Sequence, residues 1–240
     1  MSGETSVPFT YIEMTEEKEI ICLANSTKKH PCRCVAGVDI ETGEWIRPVS
    51  KRDSGELAEQ HYRTEQGYNP DPLNVLRVYL EEPAPTPSQP ENWTLADRDW
   101  QLMFSDPRPK HYQVLASAME SGPEIFGNTE CKVSAGTEVD GSLALVLPEN
   151  ATIQRKPRPN KRDQSRLQFE LGDVEYDLPI TSPRVEEIVF DTVEQAGSSQ
   201  LDRYIDTNNI PLVTISLGEE FKEAHWKLAA AIFQIPQKYK

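Results

Sequence analysis

Short apolar runs with a period of two, separated by polar turns, make up most of this chain. The densest grouping is Ile20 to Ser50, IICLANSTKKHPCRCVAGVDIETGEWIRPVS. It predicts a strand over Glu19 to Ala24, a polar loop over Asn25 to Pro31, a strand over Arg33 to Ile40, a turn at Glu41-Thr42-Gly43 and a strand over Glu44 to Val49. A Thr-Gly pair between alternating runs is a hairpin signal, weaker than Asn-Gly because Thr resists positive φ. Within Leu73 to Leu80, Val75, Arg77 and Tyr79 share one face and Leu76, Val78 and Leu80 the other, since side chains alternate along a strand. Two apolar faces predict one side inside a barrel and the other partly covered.

Residues 1 to 18 form a polar, mostly acidic arm. Ser54 to Tyr62 suits a short helix, with Ser54 able to cap it. Pro83, Pro85, Pro87 and Pro90 deny backbone donors to a ladder and predict an extended stretch ending at Trp93. Helices are expected over Leu95 to Met103 and His111 to Glu120, either side of the Asp106-Pro107 and Arg108-Pro109 breakers. Ser142 to Leu147 is the clearer strand of the Cys131 to Pro148 region, and Leu167 to Leu171 pairs with Val174 to Leu178 across Gly172-Asp173. A short helix over Pro183 to Phe190, a polar loop over Gly197 to Asn209, and strands over Leu212 to Leu217 and Ala224 to Ile235 complete the reading. In the last strand Trp226, Leu228, Ala230 and Ile232 fall at period two.

Charge changes the picture in one place. The 240 residues carry a formal net charge of -14, which argues against indiscriminate binding of polyanions, because duplex affinity comes largely from phosphate neutralisation. Yet Gln154 to Arg166, QRKPRPNKRDQSR, holds Arg155, Lys156, Arg158, Lys161, Arg162 and Arg166 against the single acid Asp163. Such a run is either a solvated loop or a phosphate-contacting loop between strands. No run of 18 apolar residues exists and the first residues are polar, so neither a membrane span nor a signal peptide is expected, and a cytoplasmic location is. Four cysteines make no disulfide framework.

Candidate chemistry is sparse. No glycine-rich phosphate fingerprint follows a strand and no G-x-S-x-G elbow occurs, so the expectation is a protein without enzymatic activity and without a cofactor. Cys22, His30, Cys32 and Cys34 form a weak metal candidate: the last three share a face if the strand is extended, but the spacing is not that of a structural zinc site. Sequence-tolerant single-strand binders combine cations with aromatic platforms. The candidates for that role are Asn25, Ser26, Lys28, Lys29, Arg33, Trp45 and Arg47 in the first half, and Arg155, Arg158, Lys161 and Arg162 in the second. Each has a plainer role: Trp45 as core, Arg47 as partner of a carboxylate such as Glu56, Asn25 and Ser26 as satisfiers of a tight loop.

The run CLANS-x-K, RC-x-AG eight residues on, W-I-R-P-V-S, and the closing LPITSP, ISLGEEF and HWKLAAAIF resemble the bacterial dual OB-containing domain family. Ser182 and Arg184 stand where that family often has an acidic residue and an aromatic. The resemblance implies a mainly β fold with helical inserts, two tandem OB-like small β-barrels. The first is expected over 19–148 and the second over 149–240. It also implies a nucleic-acid role in a bacterial defence system, with single-stranded or modified nucleic acid as partner, or a nucleotide-like ligand. The alternative is an acidic adaptor that docks on a basic protein partner in a multi-subunit system.

Overall fold

The computed structural model describes residues 15–192, 197–201, 206 and 208–239, so most of the expected N-terminal arm lies outside the described residues. The first unit opens with β1 (Glu16–Lys29), which pairs antiparallel with β2 (Cys32–Asp39). The loop expected at Asn25 to Pro31 is therefore mostly strand: Asn25, Ser26 and Thr27 pair with Val35, Cys34 and Arg33. Only His30 and Pro31 turn. Polar composition suggested a loop, but a strand needs only its backbone groups paired, and β2 supplies the partners. Gly37 is required where β1 bulges at Cys22, because a Cβ there would lie 2.3 Å from the Ile21 carbonyl oxygen.

The chain continues through β3 (Trp45–Val49), a one-turn α1 (Glu59–Tyr62), β4 (Val75–Pro83), β5 (Asn92–Leu95) and β6 (Gln101–Phe104). The helix expected over Leu95 to Met103 is absent; β5 and β6 take its ends as strands, since pairing with β3 and β4 outweighs local helical preference. The order β1-β2-β3-β5-β4 returns to β1, with β3 and β5 parallel, and closes a five-stranded barrel. Ile20, Cys22, Val35, Leu76, Val78 and Leu80 fill it. The opposite face of β4 is covered too, as its pattern predicts: Val75 packs against the second unit and Tyr79 lies under the Arg98 guanidinium.

After α2 (Pro109–Ser117) come β7 (Lys132–Ser134), β8 (Leu143–Val146), β9 (Glu149–Arg158), β10 (Lys161–Leu171) and β11 (Val174–Pro179). Then follow α3 (Pro183–Thr192), β12 (Ser198–Gln200), β13 (Asn209–Glu220) and β14 (Ala224–Pro236). β12 occupies part of the expected Gly197 to Asn209 loop, of which 202–205 and 207 lie outside the described residues. Only two residues separate β8, which pairs with β13, from β9, which pairs with β10, so together they behave as one bent strand serving two sheets. β11 touches β14 through a parallel bridge, Ile180 to Ala229. The strand order of the first barrel thus recurs with a looser closure. The boundary expected at residue 148 runs between β8 and β9, while β7 pairs with β14.

The units share a buried layer. Ile21, Leu23 and Val38 meet Leu145, Leu212 and Ile235, with Tyr112 and Leu115 of α2 beside them, and burying each large apolar side chain stabilises by about 1.5–3 kcal/mol. The Thr214 hydroxyl donates to the Leu23 carbonyl at 2.7 Å across this layer.

β14 departs from its simple alternation. Trp226 is exposed, while Lys227 is wholly buried. The Lys227 Nζ donates to the Asn128 carbonyl and Oδ1, both at 2.9 Å, and lies 5.4 Å from the Tyr176 ring. Burial pulls its pKa down to about 8. The unfolded chain then binds more protons than the fold between about pH 8 and 10.5, so this lysine makes stability rise with pH across that window. Urea denaturation of the Lys227→Met variant, compared with the parent at pH 7.5 and pH 10, is expected to show the difference shifting in favour of the parent at the higher pH. An unchanged difference refutes it.

Candidate nucleic-acid interface

The basic run is not a loop between strands but the hairpin of β9 and β10, turning at Pro159-Asn160, where Asn160 takes a positive φ of 55°. Lys161 pairs with Arg158 and Ser165 with Arg155. One side of the hairpin faces α3. There the Arg155 and Arg162 guanidinium carbons stand 4.5 and 4.2 Å from the centre of the Phe190 ring. Arg155 is also held by Asp163 at 3.1 Å. Arg158 donates through Nε to the Arg162 carbonyl, which pins the tip. Glu186, beneath, has its pKa raised by burial against the pull of Arg162 and Arg158. Other cations of the run are already paired, because Lys156 and Arg166 both bind Asp177, at 2.9 and 2.5 Å. Burial pushes the Asp177 carboxyl up, but these two bonds outweigh it and leave it below its ordinary range. Arg158, Lys161 and Arg162 remain exposed at the hairpin tip.

The hairpin reaches the first barrel through a cavity of about 270 Å³ lined by Arg158, Gln164, Thr181, Glu186 and, from β1, Thr27. Backbone bonds stitch this seam: the Thr27 N–H donates to Thr181 O at 2.8 Å, and the Thr181 N–H to Ala229 O at 3.0 Å. A second cavity, about 150 Å³, adjoins it along the Ile180 to Arg184 segment. Asn25, Arg33, Tyr62, Asp71, Ser182 and Arg184 line it. Arg33 links the two, since its Nη1 donates to Thr27 Oγ1 at 2.6 Å.

The other first-half candidates do not join this face. Ser26 is buried on β1. Lys28 donates to the Ser54 carbonyl and binds Glu219 at 3.0 Å, in a cavity of mixed charge with Arg52, Asp53, Glu220 and His225. Lys29 ends β1, paired with Cys32. Trp45 packs on Ala24, Ala36, Leu143 and Ala230. Arg47 is buried and ion-paired not with Glu56 but with Glu91, Nη2 to Oε1 at 2.9 Å, with Ser142 O and Ser216 Oγ each at 3.4 Å. The metal candidate fares no better: Cys22 is fully buried, where burial pushes its thiol up to about 12, and among the described residues no three His, Cys, Asp or Glu side chains are placed to hold an ion.

One strand order thus occurs twice, over nearly the whole chain. The model of the dual OB-containing domain matches residues 18–232. The chain belongs to that family. A search of curated proteins finds no match. Among solved structures, this dual OB protein is similar to the tetrameric p202 HIN2, at 7% identity over 92% of this chain and 93% of that one with a TM-score of 0.33. It is also similar to a murine DNA binding protein bound with ds DNA, at 6% identity over 92% and 97% with a TM-score of 0.34.

Phe190, Thr27, Asp71, Ser182 and Arg184 escaped the sequence reading as site residues. A lone Thr or Asp carries no local signal, and Phe190 reads as helix core. Only the helix expected over Pro183 to Phe190 hinted that it would face something.

Because Arg47 and Glu91 are both buried, removing one partner leaves an uncompensated charge, a loss of about 3–5 kcal/mol. Glu91→Ala is expected to lower unfolding stability by that order in urea denaturation, and a loss under about 1 kcal/mol would show the pair to be dispensable.

Proposed function

We propose that this dual OB protein is a non-enzymatic recognition module for nucleic acid, binding a single strand along the tip and α3 side of the β9–β10 hairpin. The observation that carries this is the exposed trio Arg158, Lys161 and Arg162 beside the Arg155–Phe190–Arg162 stack, in a chain that is otherwise strongly acidic. Phosphates bind the trio, and the acidic remainder confines the strand to this face, so binding is modest and salt-sensitive. A role in bacterial defence fits the family's setting as the sequence motifs suggest it.

A second reading is favoured by one observation. Phe221 is 61% exposed at the β13–β14 turn, with Lys222 over its ring, Glu219 tied to Lys28, and Glu220 and Glu223 beside it. An acidic rim around an exposed ring suits a basic protein partner, and a pull-down comparing the parent with Phe221→Ser tests it.

For the nucleic-acid reading, fluorescence anisotropy with labelled single-stranded DNA, single-stranded RNA and duplex DNA across a salt series is the measurement. Arg158→Gln with Arg162→Gln is expected to weaken single-strand binding and to make the slope of log K against log salt shallower by about 1.4, at about 0.7 per lost contact. Unchanged affinity and slope, or no binding by the parent at low salt, overturns the proposal.

A further inference from the structure

The 150 Å³ cavity at the junction of the two units is not needed by the hairpin face, and most of its lining side chains are polar or charged. Two guanidiniums line it, Arg33 from β2 of the first barrel and Arg184 from α3 of the second. Arg33 is oriented by its bond to Thr27. Arg184 has one long ion pair, 3.5 Å to Asp71, and both of those side chains are more than half exposed. The wall therefore holds two fixed positive charges against one carboxylate, an excess that suits an anion.

A second observation narrows the anion. Asp71, more than half exposed, offers carboxylate acceptors on the same wall. The cavity accordingly presents cations and hydrogen-bond acceptors together. Bare phosphate satisfies only the cations. A phosphate monoester on a nucleoside satisfies both, because its hydroxyl or amino groups donate. Size agrees: about 150 Å³ is below the usual range for a whole drug-sized ligand, and suits a phosphate with its sugar rather than a chain running through.

We propose that the junction cavity binds the phosphate monoester of a nucleotide, with Arg33 and Arg184 on the phosphate and Asp71 accepting from the nucleoside. This rests on the nucleic-acid reading where the nucleotide is the phosphorylated end of a strand, and stands apart from it where the nucleotide is free. A monoester carries close to two charges against the single charge of a chain-internal diester, so two arginines discriminate ends from interiors.

The test is anisotropy with the full chain and one labelled oligonucleotide made with a 5′-phosphate, a 3′-phosphate or hydroxyls at both ends, together with titration calorimetry of the four 5′-nucleoside monophosphates and of inorganic phosphate. For a strand end, one phosphorylated oligonucleotide is expected to bind about tenfold or more tightly than the hydroxyl form. Arg184→Gln is expected to erase that preference, whereas Arg158→Gln with Arg162→Gln is expected to weaken both strands and leave the preference between them. Asp71→Ala keeps the arginines but removes the acceptor, and is expected to lower the affinity for a nucleoside monophosphate relative to that for inorganic phosphate. If strands fail to bind but a monophosphate binds and Arg184→Gln abolishes it, the cavity stands as a free-nucleotide site and the hairpin reading falls. If phosphorylated and hydroxyl strands bind alike and no monophosphate gives heat, the cavity proposal is overturned and the hairpin reading survives.

Discussion

A buried ion pair helps to tie the two barrels into one object. Arg47 and Glu91 are both almost wholly enclosed, at 5% and 7% side-chain exposure. Their partners come from both halves: Glu91 stands just before β5 and receives the Ser142 hydroxyl just before β8, and Arg47 on β3 reaches Ser216 on β13. Charges out of water are tolerated only when their hydrogen-bonding capacity is met, so the pair is permitted by that alignment and punishes any other. Apolar contact between Ile21, Leu23 and Leu212 supplies attraction but little direction. The ion pair supplies direction, and the backbone bonds from Thr27 to Thr181 to Ala229 add to it.

That arrangement also explains how an acidic protein can present a local cationic face. Most cations near the junction are consumed internally: Lys28 by Glu219, Lys156 and Arg166 by Asp177, Arg155 by Asp163. The residual positive surface is what the ladder register leaves over at the hairpin tip. At physiological salt the influence of an exposed charge fades over about 8 Å, so the distant acidic surface does little to cancel it there.

Much of the fold was legible because strands announce themselves by period two. The Ile20 to Val49 hairpins, the two-faced Leu73 to Leu80 strand and the Leu167 to Leu178 hairpin all follow from alternation and turn residues. What escaped was set at a distance. Gln101 to Phe104 has helical composition, and only pairing with β4 makes it extended. The strand character of Asn25 to Lys29 depends on β2, and that of Arg155 to Arg158 on β10. Buried Lys227 could not be told from a surface lysine, because its acceptor, Asn128, lies 99 residues away in the chain. The candidate site was legible only in part: charge marks the hairpin as a candidate, whereas Arg47, read as a candidate contact, is buried against Glu91, and Arg184, read as a departure from the family's pattern, lines a cavity.

The cover that β13 and β14 place over the first barrel bears on how the chain is born. A ribosome releases residues in order, and N-terminal units generally fold first. β1 to β6 can close their barrel early, yet Ile21, Leu23, Val38 and Val75 stay without their lid until Leu212 and Ile235 have emerged. For the time needed to synthesise some hundred residues, the nascent protein carries an apolar strip that Tyr112, Leu115 and Leu145 cover only in part. Maturation is therefore a late docking event, and the interval before it is when chaperones or stray chains compete for that strip.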